Sequence, residues 1–136
     1  MFTKEFRLVI ATPDDIFFED NAQLIILKTS EGEICILKNH EPFVASLRND
    51  LIEIQIDGKR KKAVIAGGFI EVKPDKVRII TDSAEWPENI NLERAENSLK
   101  RAEERLSSNE SINIVRAEAS KKRALARIKA YENKVE

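Results

Sequence analysis

Scarcity narrows this chain before any motif does. A single cysteine, Cys35, excludes an internal disulfide. Its setting in the apolar run "EICIL" predicts a small buried residue rather than a reactive thiol. A single histidine, His40, joined to that one cysteine cannot make a usual structural zinc site. A Ser/His/Asp arrangement would have to use His40, and "KNHEP" is not a nucleophile context. "HEPF" has no second histidine and so lacks the spacing of a zinc protease. No stretch approaches the roughly 20 apolar residues of a membrane span. The opening "MFTKEFRLVI" lacks the long apolar run and small-residue cleavage site of a secretory leader, so an intracellular setting is expected.

Charge is plentiful and nearly balanced. Charged residues make up 35% of the 136 positions with a formal net charge of −1, which argues against nucleic acid as a partner of the whole chain. The balance hides an asymmetry. Residues 1–86 hold 12 Lys/Arg against 15 Asp/Glu, and residues 115–134 hold 7 against 2. No aromatic platform interleaves the basic residues, which further disfavours single-stranded nucleic acid.

The four glycines and four prolines lie at or before Pro87 and punctuate short strands. "FRLVIAT" mixes alternation with β-branched residues and stops at Pro13. "DDIFFEDNAQLIILKT" predicts a short strand, a turn near Asp20-Asn21, and a second strand. "SEGE" is a turn in which Gly32 is free to take positive φ. In "LIEIQIDGKRKKAVIAG", Ile52, Ile54 and Ile56 alternate with polar residues and Asp57-Gly58 supplies a hairpin turn. "KPDK" turns "FIEV" back into "KVRIIT". Roughly eight or more short strands with no helical period between them argue an antiparallel all-β unit of two packed sheets or a flattened barrel. Gly67-Gly68 reads as a bulge or close strand crossing, since no phosphate-loop pattern follows.

Beyond Pro87 the period changes. Leu92, Ala95, Leu99, Ala102 and Leu106 form one apolar stripe, with Asn91 as N-cap and Glu93 in the first turn. "SSNES" (107–111) breaks the pattern. A second helix carries a weaker stripe of Ala117, Ala124, Ile128, Tyr131 and Val135, widened by Leu125 and extended upstream by Val115 and Ala119. The fold class is therefore α+β: an N-terminal two-sheet β-sandwich over residues 1–86 and a C-terminal antiparallel two-helix hairpin over 87–136. So small and alanine-rich a hairpin is marginal alone. It is either a static part of one domain or an arm that leaves the sheets.

The catalytic inventory is thin. Asp14-Asp15 is a solvated turn beside Pro13 before it is half of a metal site. The 24 carboxylates show no readable pairing with another catalytic group. Lys121, Lys122, Arg123 and Arg127 form a basic run that is a solvated face, a dock for an acidic protein surface, or an anion site. Two function classes other than the one below stay open on these grounds: a stand-alone β-sandwich adaptor with a regulatory helical arm, and a small carboxylate-based enzyme.

"TSEGEICILKNHEPFVASL", "AGGFIEVKPDKVRIITDSAE" and the helical "RAEERL", in that order over nearly the whole length, resemble the epsilon subunit family of the rotary proton-driven ATP synthase. The family's "SEGE" is intact as Ser30 to Glu33, and its "GG" and "EV" as Gly67, Gly68, Glu71 and Val72. Cys35 replaces a common glycine, Lys38-Asn39 replaces Pro-Gly before His40, and Glu41 replaces alanine.

The resemblance implies a non-catalytic rotor part of the central stalk, peripheral at the cytoplasmic face of a bacterial membrane. The sandwich would bind the gamma subunit and sit on the ring of membrane c subunits, with Glu33 and His40 in the loops toward that ring. The helical arm would reach the catalytic beta and alpha subunits transiently, and Lys121, Lys122, Arg123 and Arg127 would be the inhibitory basic face. No cofactor is required; some members of the family bind ATP in the folded arm as a regulatory ligand, and a packed, nucleotide-free hairpin is the other reading for this chain. The family's motif there appears as "INLERA", in which Ile90, Arg94 and Ala95 match and Asn91 replaces an aspartate; Arg101, Arg123 and Arg127 are the further candidates.

Overall fold

The computed structural model describes residues 4–107 and 114–132. The strands are β1 (Phe6–Ala11), β2 (Ile16–Ala22), β3 (Leu24–Thr29), β4 (Gly32–Ile36), β5 (Phe43–Ser46), β6 (Asp50–Ile56), β7 (Lys59–Ile65), β8 (Phe69–Val72), β9 (Lys76–Ile80) and β10 (Ala84–Glu85). A single 3-10 turn at Pro87–Asn89 leads to helices α1 (Leu92–Ser107) and α2 (Ile114–Glu132). The strands make two five-stranded sheets, ordered β2-β1-β9-β8-β5 and β10-β7-β6-β3-β4. The sandwich followed by a helical hairpin is the fold class read from the sequence.

Alternation builds the core. Phe6, Leu8 and Ile10 of β1, Ile25 and Leu27 of β3, Ile52 and Ile54 of β6, Ile70 and Val72 of β8, and Val77 and Ile79 of β9 all point between the sheets. Each is at most 2% exposed, so each such side chain contributes about 1.5–3 kcal/mol of burial. Pairing is antiparallel except between β1 and β9, which run parallel and tie the first strand into the middle of its sheet. The Asp57-Gly58 turn holds φ of 51° and 75°, the left-handed pair that a tight hairpin needs, and β6 pairs with β7 directly behind it. Gly68 marks a close strand crossing, as expected. Its φ is +100°, and a Cβ there would fall 1.9 Å from the Ile80 carbonyl oxygen.

Several local expectations fail for identifiable reasons. No turn occurs at Asp20-Asn21: β2 runs through both to Ala22, because pairing with Arg7 and Leu8 of β1 keeps them in the ladder. The chain changes sheets at Gln23 instead, whose N–H donates to the Gln55 carbonyl at 2.8 Å. Cys35 is exposed, not buried. It lies on edge strand β4, where the period of two turns Ile34 and Ile36 inward and Cys35 outward. Asn39, at the position of the family's glycine, takes the left-handed conformation itself, with φ of 68°.

The α1 stripe is as expected: Ala95 and Ala102 are buried and Leu92, Leu99 and Leu106 half-buried. Asn91 caps the helix, its Oδ1 accepting the Arg94 N–H at 3.0 Å. In α2 the expected stripe is only part of the buried surface. Val115 is 79% exposed and Leu125 45% exposed, while Ala126 and Ala130 are buried. The reason is that α2 has two neighbours. It packs on α1 along one face and on β6 and β7 along another. Val135 and residues 108–113, which include all of the "SSNES" break but Ser107, lie outside the described residues.

Gly68→Ala should cost about 3 kcal/mol or more, from the left-handed backbone and the contact with Ile80 together. Urea unfolding checks this; a midpoint equal to that of the native chain would mean the crossing relaxes freely.

Candidate functional site

Where the hairpin lies over β7 and β10 it encloses a cavity of about 340 Å³. Its floor is Val64, Ile65 and Ala66 with Ser83 and Glu85; α1 supplies Ser98, Arg101, Ala102 and Arg105, and α2 supplies Ser120, Arg123, Ala124 and Arg127. Four guanidinium groups thus line one space with a single carboxylate. Arg127 pairs with Glu85: its Nη2 donates to Oε2 at 3.1 Å. Its Nε lies 2.8 Å from Oε1 but is buried without a well-formed hydrogen bond, so that contact is one of charge rather than of direction.

The convergence has a simple origin. "RAENSLKRAEERL" (94–106) and "RAEASKKRALARI" (116–128) are identical at eight of thirteen positions. In an antiparallel pair, two copies of one pattern face each other about a two-fold axis. Arg101 donates to Ser98 Oγ and Arg123 to Ser120 Oγ, each at 3.2 Å, the same local bond on both helices. Ala95 and Ala102, and Ala117 and Ala124, are buried at seven-residue spacing, and their small side chains let the helices approach closely. Arg105 was not a sequence candidate. The repeat is the signal that finds it, as the counterpart of Arg127.

The other expected site residues divide. Arg101, Arg123 and Arg127 meet in the cavity. Ile90 is buried with Val64, Ala126 and Ala130, Asn91 is occupied as the helix cap, Arg94 is exposed, and Ala95 sits in the helix seam. None of these four lines the cavity. The basic run is likewise split in this arrangement: Arg123 and Arg127 face the cavity, whereas Lys122 lines a groove on the opposite side with Arg48, Leu125 and Lys129. Lys121 is partly covered. Glu33 is exposed near the start of β4, and His40 follows its far end, with Nδ1 2.9 Å from the Glu41 carbonyl and its ring 5.1 Å from that of Phe43. The two are neighbours in neither sequence nor contact.

Beside the cavity, α2 makes a second charged contact. Asp50, at the start of β6, holds Lys28 of β3 at 3.2 Å and Lys129 of α2 at 3.0 Å. Burial pushes its carboxyl up, but the Leu51 N–H, Lys129 and Lys28 together outweigh that and leave it below the ordinary value. The hydrogen bond to Asp50 holds the Lys28 ammonium above its ordinary value. The Asp50 contribution to stability is therefore present above the ordinary aspartate value and lost as pH falls through the depressed one. Among the described residues no cluster of histidine, cysteine and carboxylates could hold a metal ion, and no helix is long and apolar enough to cross a membrane.

Residues 5–87 match the β-sandwich domain model of the ATP synthase delta/epsilon chain, and residues 88–132 match its long α-helix domain. The chain is 45% identical over 102 residues to the ATP synthase epsilon chain of Caldicellulosiruptor bescii, covering 75% of this chain and 74% of that one. It is 47% identical over 102 residues to that of Alkaliphilus metalliredigens, covering 75% and 76%. It is similar to a chain of the Euglena gracilis mitochondrial ATP synthase, solved as an OSCP/F1/c-ring assembly, with TM-score 0.78 and 26% identity over 97% of this chain and 82% of that one. A chain of the Tetrahymena thermophila central stalk and c-ring shares the fold, with TM-score 0.58 at 15% identity over 96% and 99%.

At the cavity, Glu85 is the one carboxylate among the lining arginines. Glu85→Gln should lower hairpin stability by about 1 kcal/mol, because it breaks the pair and leaves the guanidinium groups to repel. Arg127→Gln should cost less, since it breaks the same pair but relieves that repulsion. Helical melting followed by circular dichroism orders the two; the reverse order would mean the arginines do not feel one another.

Proposed function

The chain belongs to the ATP synthase delta/epsilon chain family, and from that premise we propose that its hairpin is a nucleotide-responsive regulatory arm. The chain itself is a non-catalytic rotor subunit of the central stalk. On this reading residues 1–86 anchor it to the gamma subunit and the c ring at the cytoplasmic face of the membrane, with Glu33 and His40 toward the ring. Residues 87–136 form the arm. Ring rotation turns gamma with this subunit, and the arm, when released, reaches the alpha and beta subunits and restrains hydrolysis.

The observation that carries the reading is the cavity: four arginines from two helices around one carboxylate, held only while the arm is folded down. A triphosphate fits that charge, and binding across both helices would favour the folded state by linkage. Asn91 serves as a neutral cap here, so the phosphate contacts fall to Arg101, Arg123 and Arg127, with Arg105 beside them. The stand-alone adaptor and the carboxylate enzyme have no comparable observation in their favour.

Mg-ATP at roughly 100 times its Kd should stabilise the full chain by about 2.7 kcal/mol. Calorimetry and thermal melting read this, and Arg101→Gln with Arg123→Gln should abolish it. No heat and no shift at millimolar ATP would sink the nucleotide reading.

The inhibitory face has its own test. In the assembled complex, Gln at Lys121, Lys122, Arg123 and Arg127 should raise the ATPase rate while assembly with gamma stays normal. Glutamine keeps much of the stem and removes only charge. The Lys121→Gln, Lys122→Gln pair leaves the four arginines intact and should give a smaller rise of the same sign. An unchanged rate in both variants would leave steric blocking as the mechanism.

A further inference from the structure

Asp50 touches the arm without belonging to the cavity. Its carboxylate accepts the Leu51 N–H through Oδ1 at 2.7 Å, with Lys129 on that same oxygen at 3.0 Å and Lys28 on Oδ2 at 3.2 Å. Lys28 and Leu51 belong to the sandwich, and Lys129 belongs to α2, one residue from Ala130 of the apolar seat. The Asp50 side chain is only 19% exposed. A half-buried carboxylate left without a partner would make release of the arm costly. Here release does not leave it so, because Lys28 travels with the sandwich and remains beside it.

We infer that Asp50, shared between Lys28 and Lys129, is a releasable latch that positions α2 on the sandwich, with Lys129 as the bolt and Lys28 as the group that keeps release easy. The inference rests on the reading of the hairpin as an arm. Two ammonium groups on one carboxylate also repel each other, so Lys28 weakens the hold of Asp50 on Lys129 in the docked state as well as relieving Asp50 in the released one. Both effects have the same sign. Removing Lys28 therefore tightens docking, whereas removing Asp50 or Lys129 loosens it. A residue that merely supports the fold would not produce that inversion.

Native-state hydrogen exchange of the full chain tests this, with the amides of α2 read against those of β6 and β7. Asp50→Asn keeps an acceptor for the Leu51 N–H, and Lys129→Gln leaves the sandwich untouched; each should speed α2 exchange by about two- to fivefold with β6 and β7 unchanged. Lys28→Gln should slow it by a similar factor. The Asp50→Asn, Lys129→Gln double variant should exchange more slowly than the product of the two single effects predicts, since the two residues share a contact. Exchange indifferent to Asp50 and Lys129, or faster with Lys28→Gln, overturns the latch alone. An α2 that exchanges only together with β6 and β7 in the unaltered chain overturns the releasable arm and the latch with it.

Discussion

The seat of α2 on the second sheet is the contact on which the rest of the molecule's behaviour depends. It is made of Ala126 and Ala130 against Val64 and Ile90, flanked by Leu51 and Tyr131. An alanine brings one methyl group, worth about 0.8 kcal/mol when buried, against about 1.5–3 kcal/mol for each isoleucine or leucine of the sandwich core. The sheets are thus held by many large side chains, whereas the fully buried residues that α2 brings to the seat are alanines, with Tyr131 packed beside them.

Because apolar burial at the seat is slight, charge decides how the hairpin sits. Among the described residues, ion pairs of Arg127 with Glu85 and of Lys129 with Asp50 connect α2 to the sandwich. They differ in what surrounds them. Glu85 pairs with Arg127 at a cavity that three further, exposed arginines also line. Asp50 has a second lysine of its own domain. Electrostatic contacts of this type are modest in strength.

The hairpin's internal symmetry explains the cavity. A repeated helical pattern, folded back on itself, places like residues opposite one another. The buried alanines bring the two helices close, and the arginines three and seven residues beyond each serine then line the same space. Glu85 is the one carboxylate among the residues that line this space, and it pairs with Arg127.

Much of this was legible in residues alone. Alternation in "LIEIQI", the Asp57-Gly58 turn, the Asn91 cap and the change of period at Pro87 are local, and local sterics decide them. So was the presence of Arg101, Arg123 and Arg127, though the resemblance to a family rather than their spacing singled them out. Other features depended on neighbours distant in the chain. Cys35 lies outward because β4 is an edge strand, and Asp20-Asn21 stay extended because β1 pairs with them. Ala126 and Ala130 are buried because a sheet lies beneath them, and Asp50 meets Lys129 across 79 residues of sequence. The sequence by itself determined the two periods, the turns and the caps, because those follow from each residue's own backbone and side-chain preferences. Which face of α2 is buried, which basic residues share a space and which carboxylate holds the arm were decided only by tertiary structure, because each depends on how elements far apart in the chain pack against one another.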